Sequence, residues 1–188
     1  MRCLMALAVG EHGRLVLRHG GVAICLASLA AHPTDLEVHI AGLAMLRELA
    51  VDFAPFLRAP AVVQAGLHAL SAFPEDEDAT NRALGLLTNL LAGDEEHLTL
   101  AGARALQCRA GVPAAAVDAL ARFSAHTDAR TPALMVLSYL AAGDDACVAA
   151  LGEARAVPAV LRALEEGREA GADEQVITLI ADYILIAC

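Results

Sequence analysis

Residues 61–94 read AVVQAGLHALSAFPEDEDATNRALGLLTNLLAGD. Two apolar stretches with helical spacing flank Pro74 and the acidic run Glu75-Asp76-Glu77-Asp78. The proline stops the first helix, because its ring removes a backbone donor and clashes with the preceding turn. The carboxylates then open the second, each complementing the positive end of the helix dipole by typically ~0.3–1 kcal/mol. The stretch therefore predicts a helical hairpin.

Working outward, the same plan recurs. GVAICLASLAAHP from Gly21 is followed by GLAMLRELA from Gly42, and GVPAAAVDALARF from Gly111 by ALMVLSYLAAGD from Ala133. AVPAVLRALEEG from Ala156 is followed by ITLIADYILIA from Ile177. Aligned on Leu29/Leu49, Leu70/Leu90, Leu120/Leu140 and Leu164/Ile184, every hairpin keeps a separation of 20 residues. Successive hairpins are instead 41, 50 and 44 residues apart, so length varies only in the connectors. A unit of constant length on tolerant linkers is what a stacked helical solenoid requires. The expected organisation is one solenoid over 1–188: a partial repeat 1–20, repeats 21–60, 61–110 and 111–155, and a truncated repeat 156–188. Asp94 to Ala110 is the long connector, expected to form a longer helix projecting on one side. Leu4 to Glu11 matches the end of a second helix, and the chain stops in an apolar one. The expectation is a piece of a longer solenoid, or ends covered by something else.

Composition agrees with this plan. The chain of 188 residues holds 43 Ala and 30 Leu, only 3% aromatics and no Trp, a balance that favours helix over sheet. All 13 basic residues are Arg, and the net charge of −10 argues against a nucleic-acid backbone as ligand. Cys3, Cys25, Cys108, Cys147 and Cys188 are odd in number and without a CxxC spacing. They read as small apolar residues in a reducing compartment rather than as a disulfide framework or metal site. Met1 to Gly10 makes a poor signal peptide, and Val176 to Cys188, which contains Asp182, falls short of the ~20 residues a membrane span needs. A cytoplasmic or nuclear protein with no membrane insertion is expected.

Repeats of about 42 residues opening with Gly-Val or Val-Pro, then a helix ending Leu-x-x-Leu, then Leu-x-x-Leu-x-Asn-Leu, resemble armadillo repeats. The resemblance covers nearly the whole chain and implies an all-α, right-handed superhelix whose third helices line a concave peptide-binding groove. In that family an Asn holds the peptide backbone and a Trp one turn earlier forms pockets. The Asn site maps to Glu48, Asn89, Tyr139 and Tyr183, and the Trp site to Ala44, Gly85, Met135 and Leu179; only Asn89 keeps the family residue. The departure puts a nuclear-localisation-signal adaptor in doubt and leaves the ligand open.

Read without the resemblance, Asn is mildly unfavourable in mid-helix, so Asn89 either meets a ligand or bonds a neighbouring helix. Tyr139 and Tyr183, the only tyrosines, occupy equivalent positions and suit either an interface or packing between repeats. Arg82 and Glu48 border the same surface. Leu15 to Gly20 ends in Arg-His-Gly, which resembles the start of a histidine phosphatase, with His126-Thr127-Asp128 the one conceivable companion. No strand pattern supports it, and no HExxH, GxGxxG or nucleophile-elbow motif occurs. The expectation is a non-enzymatic scaffold, without cofactor or metal, that binds a protein or extended peptide through Glu48, Arg82, Gly85, Asn89, Met135, Tyr139 and Tyr183 or through its ends. The alternative is a regulatory solenoid acting on an enzyme or chaperone it clasps.

Overall fold

The computed structural model describes residues 11–92 and 97–169. Ten helices, and no strand, are found among the described residues. By contacts the chain divides into two compact units, Met1–Gly93 and Asp94–Cys188, so the boundary falls at the start of the long connector.

The first unit holds α1 (Glu11–Arg18), α2 (Gly21–Ala31), α3 (Leu36–Leu57), α4 (Pro60–Ala72) and α5 (Glu77–Asn89). Gly20 turns the chain between α1 and α2 at φ +74°, a left-handed conformation that glycine adopts without steric cost. The expected acidic start of α5 is present, Asp76 accepting from the Ala79 amide at 2.8 Å, and Asp35 caps α3 in the same way, accepting from the Val38 amide at 3.1 Å. Near its end α3 breaks at Phe53 (φ −132°, ψ 27°), two residues before Pro55, so its last turn is a short separate helix. Helix α3 packs on α5, α4 on α5, and α2 on both α3 and α4. Arg58 closes the C-terminal end of α5, donating from Nε to the Leu90 carbonyl at 2.8 Å and from Nη2 to that of Ala92 at 3.3 Å.

The second unit holds α6 (His97–Ala110), α7 (Val112–Arg122), α8 (Thr127–Ala141), α9 (Asp145–Glu153) and α10 (Ala156–Glu169). Gly111, at φ +91°, turns the chain into α7. Asp144 starts α9, accepting from the Cys147 amide at 3.0 Å, and this bond holds its carboxyl below the usual range. The long connector is helical as expected, yet α6 does not stand clear of its unit. It buries Leu100, Ala103 and Gln107 and packs on α7, α8 and α9.

The residues used to align the hairpins form the core. Leu29, Leu49, Leu70, Leu90, Leu120 and Leu140 are all buried, Leu164 is half-buried, and Ile184 lies outside the described residues. Cys25 and Cys147 are buried and Cys108 half-buried, all three as free thiols; Cys3 and Cys188 lie outside the described residues. Burial pushes the Cys25 thiol up to about 12, the response of a group packed as a hydrophobe. No single described helix is long and apolar enough to cross a membrane; α1 and α2 reach that composition only together, across a bend of 69°.

Candidate functional site

In the first unit, the expected contact residues fall on α3 and α5. Asp78, Arg82, Gly85 and Asn89 recur at helical spacing along α5, while Arg47 and Glu48 come from α3. Gly85 is buried, and its missing side chain makes room for Arg47: a β-carbon there would lie 2.7 Å from the Arg47 Nε and 2.9 Å from its Cζ. The guanidinium Nη1 of Arg47 reaches Asn81 Oδ1 at 3.5 Å, and the Asn89 amide Nδ2 donates to the Arg47 carbonyl at 3.1 Å. Of the two readings left open for Asn89, the bond to a neighbouring helix is therefore made.

Arg82 is tied along its own helix, with Nε 2.8 Å from Asp78 Oδ1 though not aligned as a hydrogen bond. Such i,i+4 pairs contribute only about 0.2–0.5 kcal/mol. Glu48 is exposed. Arg47 itself is half-buried and, among the described residues, paired with no carboxylate.

In the second unit, Met135 and Tyr139 stand four residues apart on α8, both half-buried on one helix face. Ala44, at the same repeat position in α3, is buried. Tyr183 and Leu179 lie outside the described residues.

A second set of residues was not singled out by motif. His39, Thr80 and Arg130 are all buried, and each lies ten residues before an aligned leucine: Leu49, Leu90 and Leu140. The common register was the available signal. Each occupies the N-terminal part of a hairpin's second helix. Arg130, with no exposed surface, donates from Nη1 to the Ser124 carbonyl at 2.8 Å and lies 3.3 Å from Thr127 Oγ1 through Nη2. The matching carbonyl of the first hairpin belongs to Pro33, six residues before His39, and His68 Nε2 takes it instead at 3.0 Å. His39 makes no hydrogen bond through either ring nitrogen and packs between His68 and Phe73, with ring centres 5.2 and 5.1 Å away.

Burial first, then the neighbouring His68, holds the His39 pKa below its ordinary 6.5, against an upward pull from the His32 backbone and Asp35. The unfolded chain therefore takes up this proton at a higher pH than the folded one. The stability is fully present above about 6.5 and falls as pH drops from there through the lower folded value. His39→Phe should flatten that part of the profile, measured as the difference in urea midpoint between about pH 7.5 and about pH 5.5. An unchanged difference in the variant would place the proton elsewhere.

Arg18 ends α1 and His19-Gly20 forms the exposed turn into α2, rather than the end of a strand. Among the described residues no group of three or more His, Cys, Asp or Glu side chains is placed to hold a metal ion. No protein-family model matches the chain, and no curated protein matches it.

Proposed function

We propose that the chain is an armadillo-type solenoid that binds an extended segment of a partner protein, in the cytoplasm or nucleus and without chemistry of its own. Supporting the solenoid is the way equivalent helices stack within each unit: α2 on α4 and α3 on α5 in the first, α7 on α10 in the second. The short turn after Phe53, α6 and α9 then occupy the place of the first helix in successive repeats.

The observation that carries the binding role is Arg47, half-buried, its guanidinium lying in the notch over Gly85 with, among the described residues, no carboxylate to neutralise it. Arg offers a planar fork of donors, suited to a peptide carbonyl or an acidic side chain. On the second unit, Met135 and Tyr139 supply an adaptable apolar surface with a polar tip, a composition favoured at interfaces.

The test is capture of partners from the native source with tagged wild type, Arg47→Ala/Asn89→Ala and Met135→Ala/Tyr139→Ala, read by mass spectrometry after circular dichroism has shown equal helix content. The expected result is partners depleted at least about tenfold by one pair or the other, the loss of roughly 1.4 kcal/mol or more of binding energy. Partners held equally by all three proteins would overturn the reading. In that case the second reading leads, a regulatory subunit docked elsewhere, which is favoured by Val51 and Phe56 at 65% and 76% exposure.

A further inference from the structure

A cleft of about 490 Å³ opens between α2, α4 and the start of α3. That volume lies within the roughly 300–1,000 Å³ of small-molecule sites. Leu26, Leu29, Ala61 and Ala65 supply apolar walls, Leu29 and His39 are its buried residues, and Gln64 and His68 are exposed at its rim. The polar lining is thus two imidazoles and one carboxamide, with no carboxylate. His39 is 1% exposed and neither ring nitrogen completes a hydrogen bond, the His32 backbone exerting only a weaker pull on the ring, an unmet capacity that is rare for a buried polar group. His68 stands beside it in the lining, its Nε2 held 3.0 Å from the Pro33 carbonyl, which only accepts.

We propose that this cleft binds an apolar monocarboxylate, with its hydrocarbon along Leu26, Leu29, Ala61 and Ala65 and its carboxylate between His39 and His68. The absence of any acid from the lining, together with the unsatisfied imidazole of His39, favours an anionic head. The lack of arginine in the lining disfavours a phosphate, which needs several strong donors. Engaging His39 requires a rotation about its broad terminal torsion, which would present a ring nitrogen to the cleft. The charged groups around that ring are His68 and Asp35, with the His32 backbone beside it. A carboxylate placed beside His39 favours the protonated form of that ring, so binding takes up a proton near neutral pH. The site is independent of the peptide-binding role, since none of its residues is among those assigned to the partner.

The experiment is calorimetric titration of the whole chain with decanoate and with decanol, near neutral pH, in two buffers of different ionisation enthalpy. Wild type should bind one decanoate saturably with proton uptake, and decanol about tenfold more weakly. His39→Phe should weaken decanoate about tenfold, and Ala65→Leu, which fills the cleft, should abolish binding. No saturable binding of decanoate at millimolar concentration, or equal affinity for decanol, would overturn the proposal. That comparison uses only the wild type and so holds even where a variant fails to fold. Decanoate binding undiminished in a folded Ala65→Leu would overturn it as well.

Discussion

Arg130→Ala should lower the stability of the second unit by about 3 kcal/mol, within the range for emptying a large buried site. The alanine leaves a cavity under the α7–α8 turn and strips the Ser124 carbonyl of its 2.8 Å donor. Arg130→Met separates the two causes. Methionine restores most of the volume and removes a cation that, among the described residues, is buried without a carboxylate partner. Exchanging buried charge for apolar volume is often neutral or stabilising. The methionine variant should therefore lose less than half of what the alanine variant loses, measured as urea-denaturation midpoints at a common m-value. Equal losses would mean that the hydrogen bond to Ser124, rather than packing, dominates.

Leu87→Ala should be comparably costly, about 3 kcal/mol, because Leu87 is fully buried and its branched end lies flat against Gly66 of α4. A β-carbon at Gly66 would meet the Leu87 Cγ at 3.3 Å, a slightly tight approach. In the wild-type background Gly66→Ala should change stability little: the helix-propensity gain of about 1 kcal/mol is offset by that crowding. In the Leu87→Ala background the crowding is gone and the new methyl fills part of the space. There Gly66→Ala should recover about 1 kcal/mol. A double-mutant cycle with a coupling energy near zero would show that the two positions do not share this space.

What was legible in the sequence was whatever hydrophobic spacing and helix starts encode. The leucines 20 residues apart became the core, and Asp76 of the acidic run became a cap, because burial and dipole complementarity act on local patterns. The projecting helix expected between 94 and 110 is instead seated through Leu100, Ala103 and Gln107, which fall three and four residues apart on one buried face. Arg47 was harder to find. Its position depends on a side chain missing from Gly85 in another helix, and Asn89 bonds a backbone carbonyl 42 residues earlier, which no side-chain pattern specifies. The buried polar position at 39, 80 and 130 was visible as a register but concealed by chemistry, since histidine, threonine and arginine share no residue type.

The turn carbonyls of two hairpins obtain their donors in opposite ways. Arg130 reaches Ser124 from six residues away, whereas Pro33 waits for His68, 35 residues along the chain. The first link closes a very short loop and the second a long one, and the entropy lost in closure grows with loop length. The α7–α8 corner can thus complete itself during synthesis as soon as its own residues emerge. The α2–α3 corner must hold its carbonyl toward water until the following hairpin arrives, so assembly of the first unit has a built-in order in which an earlier segment is finished by a later one.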